Sequence, residues 1–242
     1  MSAPHFFVEA IDAAGTVVEL SPEDSRHALR SLRLRPGEPV TVADGRGLAA
    51  RGRIAESQRD MAAVILDEVD QVERPAPRVS VAIAPPKGDR LAWAVQKLAE
   101  VGVDEVVLFE SERSVRTLAA ERAGKTLSRL RAIAREASMQ SRRAFLTEIS
   151  GPESLQSVLR LGSGRAIVLW EEAERSLAEV MKPEPSAVRV VVGPEGGFGS
   201  RDLSAVREAE APLASLGPGI LRTETAAVVA AAVVLARVGR LG

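Results

Sequence analysis

The chain has 242 residues, of which 45% are hydrophobic and 27% charged, with a formal net charge of −1 at pH 7. This composition is typical of a folded globular protein with one large domain or two smaller ones, and it lacks the low hydrophobicity and charge excess of a disordered chain. The absence of cysteine excludes disulfides, thiolate metal ligands and cysteine nucleophiles; with only His5 and His27 as imidazoles and no visible carboxylate motif, no metal site is predicted.

The first 70 or so residues predict a small barrel. Short β-prone runs, separated by Gly, Asp and Pro turns, occur at residues 6–9, 16–20, 40–42, 48–55 and 62–69. One helix interrupts them, with Ser21 as its cap and Pro22 in its first turn. It is predicted to run to about Leu34, because Pro36 and Gly37 then stop it.

The pattern changes after the Arg-Pro-Ala-Pro connector at residues 74–77. Strands are predicted at residues 79–84, 106–109, 166–170 and 188–192, and helices at 90–100 and about 119–141. Continuous apolar strands that alternate with helices indicate a mainly parallel sheet covered on both faces. We therefore predict an α/β fold in two domains, residues 1–73 and 74–242.

The N-terminus and the apolar segments predict a cytoplasmic protein. Residues 1–10 have no basic region followed by an apolar stretch, so no secretion signal is expected. The longest apolar run, residues 226–236, is shorter than the roughly 20 residues that span a bilayer.

The first unusual loop, Gly-Pro-Glu-Gly-Gly-Phe-Gly-Ser at residues 193–200, follows a buried strand and precedes a helix that Ser200 can cap. Its glycines allow the backbone to approach a ligand closely, and ligands of open parallel sheets bind at the carboxyl ends of strands. It lacks the lysine of a P-loop and the glycine spacing of a dinucleotide fingerprint. A strand-to-helix turn without a ligand remains the alternative.

The second loop, residues 216–226, leads into the apolar helix at 226–236. Capping of the helix N-terminus is one explanation for Thr223, Glu224 and Thr225, and a functional loop is the other. Capping does not explain Arg222, whose charge opposes the helix dipole, so we expect an anionic partner, either Glu224 or a substrate. The helix is apolar nearly all round and must be buried in the domain, against a second subunit, or both, which predicts a homodimer.

Several motifs together resemble the SPOUT-class methyltransferases, and most closely the bacterial 16S ribosomal RNA uracil-N3 methyltransferases. The similarity covers nearly the whole chain and rests on residues 27–37, 87–90, 96–103, 111–114, 136–143, 193–197 and 221–226. It implies an N-terminal PUA-like β-barrel and a C-terminal α/β domain with a deep trefoil knot. It also implies a homodimer that holds the cofactor S-adenosyl-L-methionine in the knot loops and acts on the small ribosomal subunit.

The resemblance also implies roles for individual residues. The cofactor would contact Leu169, Gly193, Glu195, Gly196, Gly197, Leu216, Gly217, Ile220, Leu221, Arg222, Thr223 and Thr225. Uracil N3 is protonated at neutral pH, so the reaction needs a base or stabilisation of the developing anion. Arg222 is the candidate for anion stabilisation, and Glu224 or Glu195 is the candidate base.

Local basic stretches predict the RNA contacts. Residues 111–143 contain nine basic and three acidic side chains, and residues 26–53 contain seven arginines and two acids. Such stretches suit phosphate binding, although a solvated helix face is the alternative for any single arginine. The candidate RNA-binding residues are Arg30, Arg33, Arg113, Arg116 and Arg142.

Two other functions remain open at this point. One is a related knotted RNA methyltransferase that modifies a ribose 2′-hydroxyl or a tRNA base. The other is a non-catalytic ribosome-binding protein that has kept the fold. Cofactor binding separates the second from the enzymes, because a scaffold does not need both loops intact.

Overall fold

The structure, a computed structural model, describes residues 3–56, 60–114, 120–161, 164–181 and 185–241, with side chains in the helix after residue 119 described from residue 123. The chain divides into two units, Met1–Arg74 with Ser138–Leu146, and Pro75–Ala137 with Thr147–Gly242. Nothing in the sequence pattern signals that Ser138–Leu146 belongs with the N-terminal residues.

The first unit contains a mixed five-stranded sheet in the order β1-β3-β4-β5-β2. Its strands are β1 His5–Phe7, β2 Val17–Glu19, β3 Pro39–Ala43, β4 Leu48–Ile54 and β5 Ala63–Gln71. β1 pairs parallel with β3, and the other pairs are antiparallel. All five predicted strands are confirmed, with small shifts at their ends. The core includes the fully buried side chains of Phe6, Leu20 and Leu66. Along β5, the buried Val64 and Leu66 alternate with the exposed Ile65 and Asp67, as expected for a sheet with one buried face.

The predicted helix from Ser21 to about Leu34 is shorter in the structure. Helix α1, Pro22–Arg26, is capped by the Ser21 hydroxyl, which accepts from the Asp24 amide, and a π-helical turn at His27–Ser31 follows it. The predicted helix is thus confirmed from Pro22 to Ser31, and it ends about three residues earlier than predicted because Arg33 takes a left-handed conformation, with a φ of 56°.

The second unit contains a six-stranded, fully parallel sheet in the order β11-β9-β10-β6-β7-β8. Its strands are β6 Arg78–Ile83, β7 Glu105–Glu110, β8 Glu148–Ser154, β9 Arg165–Leu169, β10 Ala187–Val192 and β11 Leu213–Ala214. The predicted parallel sheet is confirmed. The sequence did not predict the two edge strands, because β8 has a single large apolar residue, Ile149, and β11 has only two residues.

Helices cover both faces of this sheet. They are α2 Arg90–Val101, α3 Ala120–Gln140, α4 Leu155–Leu159, α5 Leu177–Val180, α6 Ser200–Glu208 and α7 Thr223–Arg237. One core cluster joins the strands to α2, α3, α5 and α7, and a second joins them to α4 and α6. Burial of apolar surface on both faces explains why the inner strands β6, β7, β9 and β10 are mainly apolar.

Helix α7 is buried on one side only. Ala227, Ala230 and Val234 are fully buried, and the helix packs against α2, β6 and β10. On the opposite side, Val229 is 37% exposed and Ala236 is exposed. The prediction that α7 is buried in the domain is thus confirmed for one face, and the other face presents apolar side chains.

Candidate functional site

A cavity of about 290 Å³ lies at the carboxyl ends of three neighbouring strands. Leu169 ends β9, Val192 ends β10 and Ala214 ends β11, and all three line the cavity. This edge is where open α/β sheets bind ligands, because the loops that leave parallel strands diverge there. The volume is close to the lower end of the range for small-molecule sites.

The first loop leaves β10 and forms one wall of the cavity. A Cβ on Gly193 would lie 2.9 Å from the Phe198 ring, so only glycine fits between the strand and that ring. Gly197 has a φ of 69° and donates its amide to the Pro194 carbonyl, which closes a tight turn. The following helix is capped by Gly199, not by Ser200 as predicted, because the Asp202 carboxylate accepts from the Gly199 amide.

The second loop, residues 216–222, forms the opposite wall. Gly217 has a φ of 120°, a conformation that favours glycine, and Ile220 is 88% exposed although it is apolar. The loop ends where Thr223 starts α7, and the Thr223 hydroxyl donates to the Gly193 carbonyl at 3.2 Å. This hydrogen bond joins the two loops directly.

Arg222 has no anionic partner within the residues that the structure describes, and its side chain is exposed at the cavity wall. Of the two anionic partners expected for Arg222, Glu224 is therefore excluded in this structure, and a substrate remains the other. The Glu224 carboxylate instead lies 3.6 Å from Nε of Arg90, at the start of α2. Residue 222 precedes the helix, and its side chain projects to the cavity while Glu224 is buried behind it.

Arg90 bridges two carboxylates from different loops. Its Nη1 lies 3.3 Å from Oε1 of Glu195, which also accepts from the Lys87 amide, and its Nε faces Glu224. The second oxygen of Glu224, Oε2, is buried and has no hydrogen-bond donor among the described groups. The sequence analysis did not identify Arg90 as a site residue. The signal was present, because a positive charge in the first turn of α2 is unfavourable next to the helix dipole and therefore indicates an anionic partner.

Most of the predicted cofactor-binding residues line this one cavity. They are Leu169, Gly193, Glu195, Gly197, Leu216, Gly217, Ile220, Leu221, Arg222 and Thr223. Gly196 and Thr225 do not line it, and neither does the candidate base Glu224. Gly196 instead turns toward Arg113, whose Cβ would be 3.6 Å from a Cβ at that glycine.

The cavity also has lining residues that were not predicted, including Trp170, Glu171 and Phe198. Trp170 directly follows β9 and packs, partly buried, against one of the two core clusters of the second unit. Its ring centroid lies 6.3 Å from that of Phe198, within the range of aromatic pairs. The two rings give the cavity an apolar aromatic floor.

The candidate RNA-binding arginines are exposed where the structure describes them. Arg30 forms only a loose pair with Asp60, at 3.7 Å, and Arg33 and Arg142 both have a φ of 56°. Arg113 donates from Nη1 to the Gly196 carbonyl at 3.1 Å. Arg116 lies outside the described residues.

Neither a metal centre nor a membrane span is found in the described ranges. No group of three or more His, Asp or Glu side chains there could hold a metal ion. No helix in that part of the chain is both long and apolar enough to cross a bilayer.

Comparison with known proteins gives a consistent result. A family model described as an RNA methyltransferase domain matches residues 73–235, and one described as an RNA methyltransferase PUA domain matches residues 20–67. The ribosomal RNA small subunit methyltransferase E of Mycobacterium bovis is 34% identical over 236 residues, which are 95% of this chain and 90% of that protein.

Two solved structures share the fold over almost the entire length. The structure of a methyltransferase from Legionella pneumophila, in complex with the cofactor SAM, has a TM-score of 0.88 at 28% identity. The match covers 98% of this chain and 98% of that one. The ribosomal RNA small subunit methyltransferase E of Neisseria gonorrhoeae, bound to S-adenosyl methionine, has a TM-score of 0.87 at 27% identity and covers 97% of this chain and 98% of that one. With its two matched domains, its sequence identity and its fold, the chain belongs to the ribosomal RNA small subunit methyltransferase E family.

Proposed function

We propose that this protein uses S-adenosyl-L-methionine to methylate 16S ribosomal RNA of the small ribosomal subunit, at N3 of a uridine. The observation that carries the proposal is the cavity between the two glycine loops, at the carboxyl ends of β9, β10 and β11. The names of the relatives supply the substrate class, and the motif resemblance supplies the uracil N3 atom. Because the proposed substrate is ribosomal, we also propose that the protein is located in the cytoplasm.

The residues around the cavity fit the cofactor. The rings of Trp170 and Phe198 offer apolar surface for an adenine, and the carboxylates of Glu171 and Glu195 offer negative charge to a sulfonium and an ammonium group. The missing Cβ of Gly193 leaves room for the Phe198 ring, which itself lines the cavity. When bound, the cofactor supplies an electrophilic methyl group.

We assign the cofactor contacts to the residues that line the cavity. The loop residues would hold it through backbone N–H and C=O groups, because glycine-rich turns expose those groups. The set is Leu169, Gly193, Glu195, Gly197, Leu216, Gly217, Ile220, Leu221, Arg222 and Thr223. Gly196 and Thr225, which lie outside the lining, would support neighbouring residues.

The catalytic proposal concerns the N3 proton of uracil. Loss of that proton places negative charge on the ring, and the exposed Arg222 guanidinium, which has no ion pair within the described chain, is available to stabilise it. Glu195 lines the cavity and is the preferred base. Glu224 is the weaker candidate, because its carboxylate is buried outside the lining.

We assign RNA binding to a PUA-like domain, residues 1–73, and methyl transfer to residues 74–242. The match of residues 20–67 to a PUA domain of RNA methyltransferases supports the first assignment. Arg30, Arg33 and Arg142 are exposed and suited to phosphate contact, which positions RNA without reading its sequence. We also assign RNA contact to Arg113, which is exposed in the second unit, and Arg116 is retained from the sequence alone.

We further propose a homodimer and a trefoil knot. The exposed apolar side of α7, which includes Val229, is the surface that a second subunit would cover. After β11 at the sheet edge, α7 returns to pack against β6 and β10 near the sheet centre, and Thr223 contacts Gly193. This return path beside the first loop supports a knotted chain.

The first experiment is calorimetric titration of the purified protein with S-adenosylmethionine. We expect about one site per chain. Gly193→Val should abolish binding, because the added side chain meets Phe198, whereas Gly124→Ala on α3, where a Cβ has open space, should bind as the wild type does. Circular dichroism of both variants checks that they are folded.

Methyl transfer then identifies the product. Small subunits and free 16S rRNA are incubated with the enzyme and labelled cofactor, and the digested nucleosides are identified by mass spectrometry. N3-methyluridine supports the proposal. A ribose 2′-O-methyl group, or methylation of tRNA only, would overturn the choice of atom or substrate, and the absence of cofactor binding would favour the non-catalytic scaffold.

A further inference from the structure

The turn that follows β7, residues 111–113, contacts the first glycine loop, residues 193–199, from outside the cavity. None of the three turn residues lines the cavity. The turn nevertheless bonds to the loop and to the first residues of α6 through side-chain and backbone groups. It belongs to the motif at residues 111–114 that the sequence resemblance identified, in which only Arg113 has a proposed role, contact with RNA.

Asp202 is the centre of these contacts. Its carboxylate is 6% exposed and forms no ion pair with any side chain in the described ranges. It accepts from the Ser111 hydroxyl at 2.7 Å, from the Glu112 amide at 3.1 Å and from the Gly199 amide at 3.0 Å. A buried carboxylate without a cation is stable only when such donors surround it, so the three donors are held in a fixed arrangement.

Glu112 adds a second connection. Its carboxylate accepts from the Arg201 amide at 3.0 Å, at the start of α6. A Cβ on Gly199 would overlap the Glu112 carboxylate, so the turn and the loop are in close contact here. The N–H groups at the beginning of α6 are therefore shared between two carboxylates, from Asp202 and Glu112.

Arg113 connects to the middle of the loop. Its Nη1 donates to the Gly196 carbonyl at 3.1 Å. Gly196 lies between Glu195 and Gly197, both of which line the cavity, while Gly196 itself does not. The arginine therefore bonds to the loop on the side that faces away from the cavity.

We propose that Arg113 and Asp202 are positioning residues, which hold the 193–199 loop in its cofactor-binding conformation before RNA is bound. The inference rests on the proposed function and adds to it a role for the 111–113 turn. A loop with four glycines loses much conformational entropy when it is ordered, and contacts that order it in advance increase ligand affinity. Arg113 thus acts on cofactor affinity without touching the cofactor, besides any contact with RNA.

The test is calorimetric titration of RNA-free protein with S-adenosylmethionine. Arg113→Gln should raise the dissociation constant about three- to tenfold, the effect of one lost hydrogen bond, and Asp202→Asn should raise it at least as much, because an amide N–H₂ then faces a donor. Arg113→Lys keeps one donor and should recover part of the affinity. Arg207→Gln, at the far end of α6, removes only a bond to Ser204 and is the matched control.

Steady-state kinetics separates positioning from general loss of structure. At saturating RNA, the KM for S-adenosylmethionine should rise in Arg113→Gln by a larger factor than any fall in kcat, and thermal melting should match the wild type because Arg113 is exposed. Unchanged cofactor affinity in Arg113→Gln, with a loss only of RNA affinity, would overturn the inference. A wild-type protein that binds no cofactor would overturn the proposed function itself, and the inference with it.

Discussion

The hydroxyl of Thr223 donates a hydrogen bond to the carbonyl of Gly193, across 3.2 Å, and so links the first turn of α7 to the end of β10. Both residues line the cavity, and Thr223 is 5% exposed. The hydrogen bond therefore connects the two loops that form opposite walls of the cavity.

Replacement of Thr223 by valine should weaken cofactor binding. The two side chains have nearly the same shape, but valine leaves the Gly193 carbonyl without its donor, which costs about 0.5–1.5 kcal/mol, or roughly three- to tenfold in the dissociation constant. Calorimetry with S-adenosylmethionine measures the change. Thr223→Ser keeps the hydroxyl and should bind nearly as well as the wild type; equal losses in both variants would show that the methyl group, not the hydrogen bond, matters.

Arg90 should stabilise the fold through the two carboxylates that it bridges. Arg90→Gln leaves the Glu224 carboxylate buried without a cation, and its Oε2 already lacks a donor in the described structure. Because the Arg90 side chain is 41% exposed, solvent reduces the loss, and we expect about 1–3 kcal/mol in the free energy of unfolding. Urea titration followed by the fluorescence of Trp93 and Trp170, both in the second unit, measures it.

Two further variants test this explanation. Lys97→Gln removes an intrahelical pair with Glu100 on the same helix and should change the stability by less than about 1 kcal/mol. In the double variant Arg90→Gln/Glu224→Gln, the buried charge is gone, and part of the lost stability should return. Additive losses in the double variant would mean that Arg90 acts through other contacts.

The sequence predicted the features that depend on local pattern. The strands β6, β7, β9 and β10 are short apolar runs, and apolarity over a whole strand already implies burial on both faces. The two loops were found because glycines at the end of a buried strand, and charged residues at the start of an apolar helix, are unusual. Each of these signals is contained in a segment of a few consecutive residues.

The parts that were missed depend on contacts between distant residues. Arg90 meets Glu195 and Glu224 only after α2, β10 and α7 have packed, and nothing beside it in the sequence reveals the bridge. The charge pattern that identified Arg113 cannot distinguish a guanidinium that binds phosphate from one that binds the Gly196 carbonyl. The roles of Arg90 and Arg113 are determined by contacts with residues that are distant in the sequence, and local sequence patterns do not reveal such contacts.

Arg240 and Asp104 form a buried ion pair that should matter for stability. Their side chains are 6% and 4% exposed, and the guanidinium also donates to the carbonyls of Pro77 and Gly102. Arg240→Met leaves the Asp104 carboxylate buried with only the Val79 amide as donor, which should cost about 3–5 kcal/mol. Urea unfolding, followed by tryptophan fluorescence, measures the loss.

The control for this variant is an exposed ion pair. Arg51→Gln removes the partner of Glu68, and because both side chains are more than half exposed, we expect a loss of about 0–1 kcal/mol. Arg240→Met/Asp104→Asn should be less destabilised than the sum of the single variants, because neither charge is then left unpaired. A loss from Arg240→Met no larger than that from Arg51→Gln would contradict the assignment of a buried pair.

His5 should make the first unit less stable in mild acid. Burial lowers the pKa of His5 below its usual 6.5, the nearby Arg142 charge lowers the pKa further, and the hydrogen bond to the Arg143 carbonyl opposes the shift. The folded chain therefore takes up a proton less readily than the unfolded chain does. Stability is fully present above about pH 6.5 and falls as the pH drops from there towards the lower pKa of the folded state.

Titration of the histidine ring signals by NMR should give a pKa below 6.5 for His5. Urea unfolding at about pH 7.5 and pH 5, followed by the methyl signals of Val40 and Val42 in the core of the first unit, should show a lower free energy at pH 5. His5→Gln removes this group and should flatten the dependence. If wild type and His5→Gln show the same pH dependence of stability, groups other than His5 cause the acid sensitivity. The variant lacks the buried imidazole, and with it the difference in proton uptake between the folded and unfolded states.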